Sequence, residues 1–180
     1  MSNSLENLLE NMTAHRESRQ KLADAVKENH QWIQELLTLG FSVSNKNAHK
    51  ACWVLELVFL DNIELLLPHL EFFCNNLQQI SHESALRPVS KIIMLLMNAD
   101  FKHHYSITNN QKQILAEVCM DWLISDSKVA TKCYSIRALY FLGFTFQWIH
   151  PELKIILDQN YHQQSAAYKA VTREILKKIK

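Results

Sequence analysis

Glycine and proline are scarce in this chain, whose 180 residues include only 2 Gly and 3 Pro. Sheet proteins need frequent turn residues, and parallel α/β folds need glycine-bearing loops, so the composition argues against both classes. Hydrophobic residues make up 48% of the sequence, which is ample for a buried core. The composition therefore favours helices that are joined by short polar links.

Charge and long apolar runs are also lacking. The formal net charge is +1, so the chain as a whole is not a polycation built to bind nucleic acid, although a local basic face is compatible with it. The N-terminus has neither the basic stretch nor the apolar core of a signal peptide. The longest apolar runs, such as 92–97, are too short to cross a bilayer. We therefore predict no membrane partner.

The four cysteines lie far apart and form no C-x-x-C pair. Each has apolar neighbours in the sequence, where a reduced cysteine behaves as a small hydrophobic residue. Such a pattern fits a reducing compartment. We therefore predict a cytoplasmic protein with free, buried thiols at Cys52, Cys74, Cys119 and Cys133.

The motifs of metal and catalytic sites are missing as well. No pair of the nine histidines has H-x-x-x-H spacing, and His49-x-x-Cys52 lacks a second pair of ligands. The sequence contains no P-loop, G-x-G-x-x-G, G-x-S-x-G or H-E-x-x-H motif. We therefore predict no metal, no cofactor, no catalytic residues and no enzymatic activity.

Side chains of the same kind return every 41 residues, and this period predicts the fold. At twice the period, Leu57 corresponds to Leu139 and Phe59 to Phe141. A period near about 40 residues with two helical segments is typical of stacked helical repeats. The basic positions that mark the period, each 41 residues after the one before, are Lys50, Lys91, Lys132 and Arg173.

One stretch carries a family resemblance: Lys132-x-x-Ser135-x-x-Ala138-Leu139-x-x-Leu142-Gly143. It is similar to the second helix of a HEAT repeat, in which a basic residue and small residues precede Ala-Leu-x-x-Leu-Gly. Pro68-x-Leu70 and Pro151-x-Leu153 resemble the opening of a first helix. The resemblance to the HEAT/armadillo class implies an all-α fold: a right-handed α-α superhelix, or solenoid, of about four helix pairs plus a short N-terminal helix.

In this layout the whole chain, 1–180, is one domain, because each helix pair has too little core to be stable alone. The first long helix is predicted for Arg19–Leu39, and Gly40 is expected to end it in the left-handed conformation. Asp100–Asn109 is the longest predicted link, and Trp148 is expected in the core. The predicted segments are an N-terminal helix at 4–13 and repeats at approximately 19–60, 66–98, 109–142 and 151–179.

The predicted binding surface follows from the resemblance. Second helices line the concave face of a HEAT array, so the four basic positions are expected to form a row there, which we call the basic ladder. Trp53 lies about one helical turn after Lys50 and is expected beside it. Two interpretations stay open. Either these side chains bond loop carbonyls and acids inside the fold, with Trp53 in the core, or they form a surface for an acidic partner. The ladder residues are Lys50, Lys91, Lys132 and Arg173.

The predicted function is a non-catalytic scaffold that recognises a protein or peptide on its concave face. The alternative is nucleic-acid binding by a relative of the HEAT-like alkylpurine DNA glycosylases. Resemblance to that class would imply a concave basic surface with a tryptophan and an acidic catalytic residue. In that reading Glu56, close to Trp53, is the candidate acid. The sequence leaves the partner's identity and the oligomeric state open.

Overall fold

The computed structural model describes residues 4–80 and 82–179, and within these ranges it contains helices and no strand. The prediction of an all-helical protein is confirmed. The chain divides into two compact units, Met1–Ile92 and Ile93–Lys180. Among the described residues, no helix combines the length and the apolar character that a bilayer crossing needs.

The first unit contains α1 to α5, and α6 begins in it and ends in the second unit, which also contains α7 to α10. Three short 3-10 segments lie at Ile63–His69, Leu77–Gln79 and Tyr161–Gln163. The α-helices are α1 (Leu5–Asn11), α2 (Arg16–Glu28), α3 (Gln31–Gly40), α4 (Ala48–Asp61), α5 (Leu70–Asn76), α6 (Glu83–His103), α7 (Asn109–Ile124), α8 (Val129–Leu142), α9 (Ile149–Asn160) and α10 (Ala166–Leu176).

The opening helix α1 packs on α3 in the first unit. Ser4 begins it, since the Ser4 side-chain oxygen accepts a hydrogen bond from the backbone N–H of Asn7 at 3.4 Å. Leu5 and Leu9 are buried, which gives the helix the apolar face that holds it against the rest of the unit. An amphipathic helix this short depends on such packing for its stability.

The single helix predicted for Arg19–Leu39 is wrong, because the chain breaks at Asn29 into α2 and α3. Asn29 has φ −129° and ψ 80°, and its N–H donates to the carbonyl oxygens of Ala25 and Val26 at 3.1 Å. The apolar stripe lapses here, with polar Asn29 and His30 between Val26 and Ile33. Asparagine competes for its own backbone and favours helix ends, which explains the break.

Gly40 is not left-handed, so the predicted role for this glycine is also wrong: no glycine among the described residues has a positive φ. Gly40 instead lies at the end of α3, where α4 approaches it closely. A Cβ atom at this position would stand 3.1 Å from the Sγ of Cys52. The Cys52 thiol donates to the Gly40 carbonyl oxygen at 3.5 Å. The absence of a side chain therefore serves packing between two helices.

The long link predicted for Asp100–Asn109 is shorter in the structure, because α6 continues to His103. His104 ends the helix in the left-handed region, with φ 53°, and its N–H donates to the carbonyl oxygen of Asp100 at 2.8 Å. Lys102 and His103 lie in the last turn, where cations complement the helix dipole. Their polarity made this helical turn resemble a loop in the sequence.

The core of the second unit surrounds α8, which packs against α7, α9 and α10. Ile136, Leu139 and Leu142 of α8 are almost fully buried. Trp148, however, is 46% exposed, so the prediction of a core tryptophan at this position is wrong. It lies at the N-cap of α9, outside the apolar stripe of either neighbouring helix.

Candidate binding surfaces

Lys50, the first member of the basic ladder, is used to hold α1 in place. Its ammonium nitrogen lies 3.0 Å from the carbonyl oxygen of Leu9 and 2.9 Å from that of Glu10. These carbonyls belong to the last turn of α1, where backbone acceptors have no partner within the helix. A cation at a helix C-terminus also interacts favourably with the dipole. Lys50 thus ties α4 to α1.

Lys91 belongs to a buried ion cluster in the first unit. Its ammonium nitrogen lies 3.0 Å from the Oε1 atom of Glu56, while the Arg87 guanidinium donates to both carboxylate oxygens at 3.1 and 2.6 Å. Burial by itself raises the pKa of Glu56, but the hydrogen bonds from Arg87 and Lys91 outweigh it and hold that pKa below its usual value. Glu56, the candidate acid, is therefore charged at neutral pH and accepts from a cation at each oxygen.

Trp53 has a defined partner inside the first unit. Its indole N–H donates to the carbonyl oxygen of Ser84 at 3.1 Å. That carbonyl would normally accept from the residue four positions later, which is Pro88 and has no N–H. Pro88 does not delay the start of α6, which begins at Glu83. The Arg19 guanidinium carbon lies 5.8 Å from the indole centroid. Trp53 therefore completes the backbone hydrogen bonding of α6.

The second unit holds the other two ladder residues. Lys132 is half-buried on α8 and has no hydrogen-bond or ion-pair partner among the described residues. Arg173 is exposed on α10 and donates to the Tyr161 hydroxyl oxygen at 2.8 Å. All four ladder residues thus lie on alternate helices, from α4 to α10, but their contacts differ.

A cluster of three phenylalanines in the second unit, two of them exposed and one half-buried, was not predicted. Its members, Phe101, Phe141 and Phe144, are called the aromatic patch below. The ring centroids of Phe101 and Phe144 are 4.8 Å apart, and those of Phe101 and Phe141 are 5.6 Å apart. Phe101 is 46% exposed and Phe144 is 53% exposed. Single exposed apolar residues are ordinary, whereas large contiguous exposed patches are typical of interaction sites, so the cluster is a candidate binding surface.

Next to the patch is a pocket of about 230 Å³, called the patch pocket. Buried Met97 and Leu142 line it together with the three phenylalanines. Its polar lining includes an ion pair, in which the Lys112 ammonium nitrogen lies 2.8 Å from the Oδ2 atom of Asp100. The patch pocket is thus mainly aromatic and apolar, with one carboxylate in its wall.

The family model of the HEAT repeat domain matches residues 5–179. The chain belongs to the HEAT repeat family. HEAT repeats generally mediate protein interactions, and the family is typically a non-catalytic scaffold. No curated protein and no solved structure matches the chain.

Phe144 directly follows the Leu142-Gly143 end of the HEAT motif, and the glycine determines its position on the surface. Gly143 follows α8 directly, and a Cβ atom there would stand 2.0 Å from the His150 ring. The Nε2 atom of His150 lies 2.8 Å from the carbonyl oxygen of Tyr140, and its ring is 5.2 Å from that of Phe144. The glycine therefore lets the start of α9 fold back on the end of α8, which leaves Phe144 on the surface.

The four cysteines of this HEAT repeat protein are buried and unpaired, as the spacing predicted. Burial raises the pKa of Cys52, Cys74 and Cys119 to about 12, so these thiols are not nucleophiles at neutral pH. Within residues 4–80 and 82–179, no group of three or more His, Cys, Asp or Glu side chains is placed to hold a metal ion.

Proposed function

We propose that this protein is a non-catalytic HEAT repeat scaffold that recognises a protein or peptide, and that the aromatic patch is a principal contact. The single observation that supports the proposal is the cluster of Phe101, Phe141 and Phe144, two of which have about half of their surface exposed. Aromatic side chains are enriched at the centres of protein interfaces. Covering such a cluster with a partner is favourable, because it removes apolar surface from water.

The basic ladder stays a prediction as a binding surface. The contacts of Lys50, Lys91 and Trp53 support the structural interpretation of these three residues, because each has partners inside the first unit. Lys132 and Arg173 are the members most available to an acidic partner. The concave arrangement of the ladder, the right-handed superhelix, the single 1–180 domain and the cytoplasmic location are likewise predictions.

Affinity capture with quantitative mass spectrometry tests the proposal. The full chain serves as bait beside a patch variant, Phe101→Ser with Phe144→Ser. A matched control, Ile124→Ser with Ile155→Ser, removes two other exposed apolar side chains of the second unit, 64% and 50% exposed. We expect a set of proteins that the native chain and the control retain and that the patch variant loses. Equal capture by all three baits would contradict the proposal.

A second variant and a salt series separate the remaining alternatives. If Lys132→Glu with Arg173→Glu abolishes capture while the patch variant retains it, the ladder is the contact instead of the patch. Binding of a DNA duplex at low salt that weakens steeply as salt rises would favour the nucleic-acid alternative. We expect no such duplex binding, since the net charge is only +1.

A further inference from the structure

Asp100 lines the patch pocket, and one of its carboxylate oxygens is buried without a hydrogen-bond partner among the described residues. Asp100 is only 8% exposed, and its Oδ2 atom forms an ion pair with the Lys112 ammonium nitrogen at 2.8 Å. Its Oδ1 atom is buried and has no partner among the described residues. Buried polar atoms are nearly always paired, because an unpaired one loses its hydration without replacement. The Oδ1 atom can therefore accept a hydrogen bond from a donor that reaches it.

Two other carboxylates of the protein show the usual arrangement. Glu56 has both oxygens engaged, by Arg87 and Lys91. Glu174 accepts from Arg137 at one oxygen, at 2.8 Å, and from Lys178 at the other, at 2.9 Å. Asp100 is more buried than Glu174, yet only one of its oxygens is paired. Asp100 thus differs from Glu56 and Glu174 in having one carboxylate oxygen without a donor among the described residues.

The rest of the lining restricts the chemistry of the missing group. Phe101, Phe141 and Phe144 present aromatic rings, and the volume is about 230 Å³. An apolar cavity of roughly 150 Å³ holds one benzene ring, so the patch pocket has room for a larger ring system. Lys112, which lines the pocket, already neutralises Asp100. This cation disfavours a second positive charge, so the donor should belong to an uncharged aromatic group.

We propose that the patch pocket binds a tryptophan side chain of the partner, with the indole N–H donating to the Oδ1 atom of Asp100 and the ring packed against Phe101 and Phe144. This inference rests on the proposed function and names the group that the aromatic patch recognises. Indole is a donor without an acceptor, which matches a carboxylate oxygen beside a lysine. Buried tryptophans usually find such a partner and are frequent at binding hot spots.

Access to the Oδ1 atom requires the side chains around it to move. Phe101 and His104 line the pocket and are exposed, and exposed side chains change rotamer within picoseconds to nanoseconds. The incoming indole then covers the aromatic surface and supplies the missing hydrogen bond in one step. The uncharged ring also leaves the Asp100–Lys112 ion pair in place.

Small probes test the site on the native full-length chain. Indole and 1-methylindole have similar ring systems, but 1-methylindole has no N–H. The chain is labelled with ¹³C at the methionine methyl groups, and the signal of Met97, which lines the pocket, reports occupancy by NMR. We expect both probes to shift the Met97 signal, with indole binding at least about fivefold more tightly, as expected for one buried acceptor that gains a donor.

Variants assign the two parts of the site. Asp100→Leu with Lys112→Met replaces the ion pair by apolar side chains, and we expect both probes to bind with nearly equal affinity. Phe101→Ser with Phe144→Ser should abolish binding of both, while Ile124→Ser should leave the native difference intact. The comparison of probes on the native chain needs no variant to fold.

The outcomes separate this inference from the proposed function. If 1-methylindole binds as tightly as indole, or if neither shifts the Met97 signal, the inference is overturned even when the patch captures a protein. If indole is preferred as expected but the patch variant captures the same proteins as the native chain, the site exists and the proposed function is wrong.

Discussion

Replacing Trp53 with phenylalanine removes the N–H group that donates to the carbonyl oxygen of Ser84 at 3.1 Å. Because Pro88 has no N–H, that carbonyl then has no donor four residues along α6. Leaving a buried backbone acceptor unpaired costs roughly 1–3 kcal/mol, and the lower part of that range applies to this part-buried bond. We expect Trp53→Phe to lower the free energy of unfolding by about that amount, in addition to the smaller loss of ring surface.

Repeating Trp53→Phe in a Pro88→Ala background tests whether the loss of stability comes from the unpaired Ser84 carbonyl. Alanine at this position supplies the N–H that the Ser84 carbonyl lacks, so Trp53→Phe should then cost about 1–2 kcal/mol less, a coupling of the size seen between directly interacting residues. Pro88→Ala alone should stabilise the chain, since a proline inside a helix costs roughly 3 kcal/mol.

Urea unfolding of the four chains, followed by circular dichroism, measures this cycle. A shared partner predicts that the second substitution rescues the first. If Trp53→Phe costs the same in both backgrounds, the indole does not replace the missing N–H, and the structural interpretation of Trp53 fails.

Three further predictions concern stability. Leu139→Ala removes a fully buried side chain and should cost roughly 2–5 kcal/mol through a cavity in α8; an unchanged urea midpoint would mean that Leu139 is not in the core. Gly143→Ala should be destabilising because its Cβ would stand 2.0 Å from the His150 ring, at a cost of roughly 1–3 kcal/mol. In a His150→Ala background the same change should become stabilising by about 0.4–1 kcal/mol, since alanine adopts the right-handed conformation of Gly143 without strain and restricts the unfolded chain, and thermal melts give the sign. Glu56 has a lowered pKa in the fold, so its contribution to stability is present above the ordinary glutamate pKa and is lost as the pH falls through the lower folded-state value. Glu56→Gln should therefore show a shallower acid limb than the native chain in urea unfolding at pH 7 to pH 3, and parallel limbs would refute the ion cluster's role.

Much of the helical framework is predictable from the spacing of similar residues. Lys50, Lys91, Lys132 and Arg173 fall on alternate helices because the period of 41 is the length of one helix pair with its links. The repeat also identified the family, which the match over 5–179 supports. Such information survives in the sequence because each pair must bury an equivalent apolar face.

Helix ends were harder to predict, for physical reasons that differ from site to site. At Asn29 and His30 the apolar stripe is interrupted by only two polar residues and resumes in phase at Ile33, so the spacing alone predicts one continuous helix. At Gly40 a glycine after an apolar stripe has two explanations, a left-handed turn or a close approach, and only the position of Cys52 distinguishes them.

The aromatic patch was missed because residue type does not reveal exposure. Phe101 and Phe144 stand close to buried residues such as Met97 and Leu142 and look like core positions in the sequence. Whether such a ring is covered depends on the path of the chain after α8, which the fit of Gly143 against His150 sets. The one available signal was a large apolar residue placed directly after the Leu-Gly end of the HEAT motif.

The central claim is that this HEAT repeat protein binds a protein partner through the aromatic patch. Site-specific photo-crosslinking tests it most directly, with a photoreactive phenylalanine analogue placed at Phe144 in one chain and, in another, at Ile124, which is 64% exposed against 53% for Phe144. We expect one partner to crosslink at position 144 and not at position 124. Crosslinking of that partner at position 124 but not at position 144 would contradict the account.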